Sequence, residues 1–420
     1  MRKVFILFLS LLIVVLAGCA HQTQPATDKP NSNTELKNEM PEAYPLSTNG
    51  IDEELFAFLE NDCSYKNKNY IFSPLSYKYA ILLATSGAEG DTQTELLKSM
   101  NFNSLDEYLV WAQNANNMLI EFEKDATDDF NSYKKYNPSL KEPNRKLSVA
   151  NSIWHNTDAT GLLREDYIEY SKKNFNSDSI NIKGDKLMPE INKWVSEKTN
   201  GLIPTLFNTP LDDKNTILIN ALYLKSPWST QFNEYATSKS TFYGLNENKE
   251  IDFMENTENY EVYKDDKTTL VIVTLEGGIN CAFVMGDTNN LFENIEKSKT
   301  QYANLSIPKF EIETSFDNKE LVNFLSQKGV NLALDAEKAD FSNLISDSEI
   351  FIEDIVQKAK IITNEDGIEA AAVTAIMMDN SASFEPNEPV NITFDKPFRF
   401  FIYNENANNE LLFFGNYCNP

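Results

Sequence analysis

Asn364-Glu365-Asp366-Gly367-Ile368-Glu369-Ala370-Ala371-Ala372-Val373-Thr374-Ala375-Ile376-Met377-Met378-Asp379-Asn380-Ser381 is the stretch whose reading decides the fold. Two readings compete. Its alanine content suits a buried amphipathic helix. A period of two is equally present: Ile368, Ala370, Ala372, Thr374, Ile376 and Met378 fall on one face, with Glu369 and Asp379 on the other. That pattern belongs to a segment able to become a strand with one face buried. Its context speaks for the strand, because it follows the β-rich run Ile355 to Thr363 and passes without a helix stop into Pro386, Pro389 and a further strand.

Outward from this stretch, the chain divides by pattern. Ile51, Leu55, Phe58 and Leu59 recur at helical spacing. Thr92-Gln93-Thr94-Glu95 and Ser104-Leu105-Asp106-Glu107 each read as a capping box, and further helices are expected near residues 74 to 86, 162 to 174 and 188 to 198. From Thr216 onward β-branched and aromatic residues dominate. Strands are expected at Thr216 to Leu224, Thr269 to Leu275, Cys281 to Met285, Leu305 to Ile312, Ile355 to Ile362, Val390 to Phe394, Phe398 to Tyr403 and Leu411 to Tyr417. One late helix interrupts them, Asn318 to Lys328, with Asp317 and Glu320 as its capping pair and Gly329 as its stop. Helices first and strands later, without βαβ alternation, indicate an α+β fold.

The N-terminus reads as an address. Arg2 and Lys3 precede an apolar run from Val4 to Leu16, too short for a mature membrane span but fitting a secretory signal. Leu16-Ala17-Gly18-Cys19 resembles a bacterial lipobox, which implies cleavage before Cys19, its acylation, and an outward-facing attachment to the cell envelope; an ordinary cleaved signal is the alternative. Residues 20 to 48 hold too little apolar material to offset their ordering entropy and are expected to form a flexible tether, leaving 49 to 420 as the folded domain. The formal charge of -26 repels phosphate backbones and excludes a nucleic-acid partner. After Cys19 only Cys63, Cys281 and Cys418 remain, which is no disulfide framework, and free buried thiols are expected.

An enzyme is hard to assemble from these residues. A Ser or Cys nucleophile usually needs a histidine to take its proton, and of the two histidines one, His21, lies in the tether. His155 sits where a strand runs into a turn and reads as structural. No ligand-spaced His or Cys cluster suggests a metal, and neither a Walker-type glycine loop nor GxGxxG suggests a nucleotide. No cofactor is expected.

The stretch from Glu365 resembles the hinge of the serpin family: Glu365, Gly367, Glu369 and the small run Ala370, Ala371, Ala372, Val373, Thr374 match the pattern of its inhibitory members, with Ile368 in place of the usual hydroxyl residue. The resemblance runs from about residue 50 to the end, in family order. Ile71-Phe72-Ser73-Pro74-Leu75-Ser76, Ile191 to Pro204, Asn220-Ala221-Leu222-Tyr223-Leu224-Lys225 with Trp228, Ile307-Pro308-Lys309-Phe310, Ala339-Asp340-Phe341-Ser342, Lys396-Pro397-Phe398 and Phe414 to Pro420 carry it. It implies a large sheet with helices around it, smaller sheets, and an exposed bait loop that enters the large sheet after cleavage. It also implies that Ser73, Ser76, Asn220 and Trp228 govern the opening of that sheet, with Gln357 where many members carry a histidine.

By family spacing the cleaved bond is Ser381-Ala382; because the loop is several residues longer than usual, Met378, Asp379, Asn380 or Ala382 can precede it instead. No Arg or Lys lies between Lys360 and Lys396, so an elastase-like or subtilisin-like protease, met by a monomer, is the expected partner. The alternatives are a non-inhibitory binding or chaperone member of the same fold and an unrelated solute-binding lipoprotein. Acyl chains contribute about 0.8 kcal/mol per buried methylene to membrane attachment. A Cys19→Ala variant is therefore expected in the soluble secreted fraction; membrane association equal to the parent's would refute the anchor.

Overall fold

The computed structural model describes residues 50–61, 65, 67–159, 161–211, 214–288, 290–317, 319–346, 350–353, 355–368 and 388–420. The export segment, the tether, Cys19, Cys63 and the stretch 369–387, with Glu369 to Thr374 and Met378 to Ala382, lie outside the described residues.

The chain opens with α1 (Ile51–Asn61), β1 (Tyr70–Phe72), α2 (Pro74–Gly87), α3 (Gly90–Ser99) and α4 (Leu105–Lys134). Pro74 begins α2, where its missing N–H costs nothing, and every residue of that helix is buried. The Ser104 hydroxyl caps α4 by accepting from Glu107 N at 3.2 Å, while the Glu107 carboxylate accepts from Asn103 N rather than completing the box. The expected box at Thr92 does not form. α3 starts two residues earlier, at Gly90, and the Thr92 hydroxyl accepts from Asp340 N.

Next come β2 (Lys146–Asn156), β3 (Leu162–Leu163), α5 (Glu165–Phe175), β4 (Asp178–Ile182), α6 (Gly184–Lys198) and β5 (Thr216–Pro227). Then follow β6 (Ser238–Tyr243), β7 (Asn248–Lys264), β8 (Thr268–Leu275), β9 (Ile279–Gly286), α7 (Leu291–Glu296), β10 (Lys299–Pro308) and β11 (Phe310–Phe316). The one strand expected over Leu305 to Ile312 is therefore two strands in different sheets. The chain crosses between them at Lys309, directly after Pro308, a residue with no N–H to give a ladder. The last elements are α8 (Glu320–Gln327), β12 (Ile345–Ser346), β13 (Gln357–Thr363), β14 (Gly367–Ile368), β15 (Val390–Thr393), β16 (Phe398–Asn404) and β17 (Glu410–Tyr417). α8 lacks the expected Asp317–Glu320 cap: Lys319 precedes it at φ 65°, and the Asp317 carboxylate accepts from the Ser315 hydroxyl instead. Gly329, at φ 89°, follows its end as expected.

Helices pack with two large sheets, so the α+β reading stands. One sheet runs β1-β17-β16-β9-β8-β7-β10-β15 with β6 on β7, the other β11-β13-β14-β5-β2-β4, and β12 pairs with β3. Phe72 is a junction of the main core, with ring centroids 5.2 Å from Phe316 and 5.3 Å from Phe414. A separate apolar cluster joins Leu187, Ile191, Trp194 and Val195 of α6 to Trp154 and Ile219 of the second sheet. Cys281 and Cys418 are buried free thiols.

One buried charge group stands apart. Lys78 Nζ lies 3.0 Å from Asp52 Oδ1 and 2.5 Å from Glu410 Oε1, over the ring of Trp111, whose indole N–H donates to Glu410. Burial pushes the Asp52 carboxyl up to about 6 against the pull of Lys78, with Glu410 and Glu53 adding to the rise. A carboxyl raised in the folded state favours folding when protonated, so this group adds stability as pH falls from about 6 toward its unfolded value near 3.8. The gain is on the order of 3 kcal/mol. In denaturant titrations across that window, Asp52→Asn is expected to remove this component; identical pH profiles for parent and variant would refute it.

Candidate functional site

β13 pairs antiparallel with β11 from Phe316↔Gln357 to Phe310↔Thr363. The chain then turns through Asn364, Glu365 and Asp366, and β14 returns antiparallel to both neighbours. Thr363 faces Ile368, while Gly367 and Ile368 face Pro227 and Ser226 of β5. A Cβ on Gly367 would lie 2.3 Å from Ser226 O, so only glycine fits this approach. At the other end of the same two strands Ile219 of β5 bridges Val356 in parallel. β5 and β13 are thus wedged apart at one end by a two-residue strand and joined at the other. Ile368 is buried in the wedge.

The turn is held from three sides. The Asn364 side chain accepts from the N–H groups of Asp366 and Gly367 at 3.0 and 3.2 Å, an Asx turn. Trp228 donates twice, its backbone N–H to Asp366 O at 2.9 Å and its indole N–H to Asn364 O at 2.8 Å. Phe232 N–H donates to Glu365 O, and the Glu365 carboxylate accepts from the Thr237 hydroxyl and from Lys309 Nζ, each at 2.7 Å. Burial pushes Glu365 up, but the hydrogen bonds from Lys309 and Thr237 outweigh it and hold the carboxyl below its ordinary value. Its neighbour Asp366 is shifted the other way, by burial and by the charges of Glu234 and Glu365.

The residues expected to govern sheet opening fall in three places. The Gln357 carboxamide accepts from Ser73 N–H at 2.8 Å and donates to Ser73 O at 2.9 Å, and the Ser73 hydroxyl accepts from Ser76 N. Asn220, beside the Ile219 bridge, instead donates to the Asn151 side chain of β2, and its own buried Oδ1 makes no hydrogen bond. Trp228 lies at the wedged end, buried. The sequence reading missed Lys309, Thr237 and Phe232; a lone cation after Pro308 was the available signal, yet nothing in the sequence places it opposite Glu365.

His155 is no base. The carbonyl of Gly161 can only accept, so Nε2 carries the proton toward it at 3.1 Å, and Nδ1 is left to accept from the Thr216 hydroxyl at 2.9 Å. Burial lowers its pKa and keeps it neutral. Among the described residues no group of three His, Cys, Asp or Glu is placed to hold a metal ion.

The family model for "Serpin (serine protease inhibitor)" matches residues 54–420. The chain belongs to the serpin family. This serpin is 25% identical to an uncharacterised serpin-like protein of Thermococcus kodakarensis, over 99% of this chain and 98% of the relative. It is 30% identical to Iripin-1 of Ixodes ricinus, over 83% of this chain and 88% of that one. Among solved structures it is similar to the thermophilic serpin Tengpin in the native state, at TM-score 0.70 and 23% identity, covering 87% of this chain and 92% of Tengpin. Human thyroxine-binding globulin complexed with thyroxine superposes at TM-score 0.72 and 21% identity, covering 88% and 96%. At such identities the last two likenesses concern the fold alone.

Because Glu365 is buried against one cation among the described residues, Lys309, removing that cation should loosen the turn. Lys309→Met is expected to lower the unfolding free energy by roughly 1 kcal/mol, Lys309 being partly exposed. It should also speed subtilisin cleavage between residues 369 and 387 several-fold. Cleavage at the parent rate would show that the ion pair does not hold the hinge.

Proposed function

We propose that this serpin is an irreversible suicide inhibitor of an extracellular serine, or alternatively cysteine, endopeptidase. The observation that carries the reading is the wedge: Gly367 and Ile368 already stand as a strand between β5 and β13, in line to be extended by the residues that follow. Serpin loop insertion is an established instance of strand addition and of released strain. A target attacks the bait bond, Ser381-Ala382 by family spacing, and becomes esterified to the loop. The cut segment then continues into the sheet, carrying the acyl-enzyme with it and distorting its active site before water can release it.

The energetics support this order of events. About a dozen residues from Glu369 to Asn380 would gain ladder hydrogen bonds at roughly 1 kcal/mol each. Burial of Ile376 and Met378 adds about 1.5 to 3 kcal/mol apiece. Ile368 adds nothing further, because it is buried before cleavage. The drive is on the order of 10 kcal/mol before entropy. The run Ala370 to Ala372 has a kinetic use, since small side chains pass between parting strands quickly. Small uncharged residues around Ser381 fit elastase-like or subtilisin-like pockets, and Cys19 would tether the inhibitor, as a monomer, outside the cell.

A non-inhibitory serpin would share the fold without the insertion. In Ile368→Arg a charge replaces the buried residue that starts the strand. Mixed with porcine pancreatic elastase, the parent is expected to form an SDS-stable complex and to melt higher after loop cleavage, whereas the variant is cleaved as a substrate. A parent that is cut without complex or gain in melting temperature would overturn the inhibitory reading.

A further inference from the structure

The edge that receives the hinge is Ser226 and Pro227, and what fixes this edge lies behind it. Glu276, in the turn between β8 and β9, donates its N–H to Pro227 O and accepts from the Ser226 hydroxyl at its own carbonyl, both at 2.9 Å. Ser229 N–H donates to Thr274 O, and Trp228 bridges Leu275. The Glu276 carboxylate in turn is 3.3 Å from Arg145 Nη1 and accepts from Asn144 Nδ2 at 2.9 Å. The same Arg145 nitrogen lies 2.7 Å from Asp129 in the C-terminal half of α4, and the guanidinium sits 5.9 Å from the centroid of the Phe122 ring. Phe122 packs so closely on the turn that a Cβ on Gly277 would come 2.4 Å from its ring.

Arg145 is a costly choice for this position. Its side chain is 7% exposed, and its Nε makes no hydrogen bond. A buried guanidinium needs its partners, and an apolar chain of the same length would pack at less cost. What the guanidinium supplies is one charged nitrogen shared by two carboxylates from different elements, on a flat group that lies over an aromatic ring. Arg145 also immediately precedes β2, whose Lys146 pairs with Lys225 of β5. One cation therefore ties α4, the β8–β9 turn and the β2–β5 pair into one body, on one side of the wedge, with β13 on the other.

We propose that Arg145 is a positioning residue for the hinge: by clamping Asp129 of α4 and Glu276 to each other, it holds the Ser226–Pro227 edge where Gly367 and Ile368 pair with it. Disengaging the end of α4 then unseats the hinge. As a means of regulating the bait loop this rests on the inhibitory reading, but the test does not. Backbone amide exchange is followed at Trp228 and Phe232, which donate to the hinge turn, and at Val195 of α6 as a monitor of the whole fold. In Arg145→Met, exchange at the two hinge amides is expected to quicken about tenfold while Val195 keeps its rate. Asp129→Asn, which preserves shape and is partly exposed, is expected to quicken the same two amides to a smaller degree, and serves if Arg145→Met does not fold. Asp129→Glu should restore the parent rates. Unchanged hinge amides, or a rise matched at Val195, would overturn the proposal. No protease enters the measurement, so its outcome is separate from that of the elastase experiment.

Discussion

β5 and β13 run in the same direction in one sheet and share a single bridge among the described residues, at Ile219 and Val356. Strands left apart forgo ladder bonds and leave backbone groups to be satisfied in other ways. The rest of the second sheet is arranged around that unclosed pairing. A wedge of two residues fills one end, the bridge pins the other, and the space between them is defined by what the two strands do not do to each other. On the proposed inhibitory reading, a segment that supplies the missing strand lowers the free energy of the chain by doing so.

Holding such an arrangement requires local restraints whose loss is felt at a distance. The hinge turn is bound by six backbone or side-chain donors from the segment Trp228 to Thr237 and from Lys309. They come from connections between the two sheets, Trp228 to Thr237 between β5 and β6 and Lys309 between β10 and β11. Its two acidic residues are treated oppositely: Glu365 is matched to a cation and a hydroxyl, Asp366 is crowded by like charge. The contrast with His155 is instructive. There, two neutral hydrogen bonds and burial hold an ionisable ring uncharged.

The fold class was legible because the strands from Thr216 onward announce themselves through runs of β-branched and aromatic residues, and most lie within two residues of their expected bounds. α2, expected near 74 to 86, runs Pro74–Gly87, although burial on every side leaves its sequence without a polar face. What stayed hidden has physical reasons. α4 extends over thirty residues of mixed polar character, and only its Ser104 cap was readable. β10 and β11 look like one strand until Pro308 is weighed as a ladder breaker. At the site, period two correctly gave Ile368 a buried strand position, and Trp228 and Gln357 were found through family likeness. Lys309 and Arg145 were not, because an ion pair across hundreds of residues, or between α4 and a hairpin turn, leaves no mark in local pattern.

Gln357 opens β13, and its carboxamide grips both the N–H and the carbonyl of Ser73, the residue that caps α2. Sideways travel of β13 therefore pulls on the mouth of a fully enclosed helix. A carboxamide neither gains nor loses a proton in ordinary media, so this tie resists with the same strength in an acidified or an alkaline surrounding. An imidazole there would weaken or tighten with the medium. Through this tie the resistance to moving β13 against α2 would stay constant as the acidity of the surroundings changes.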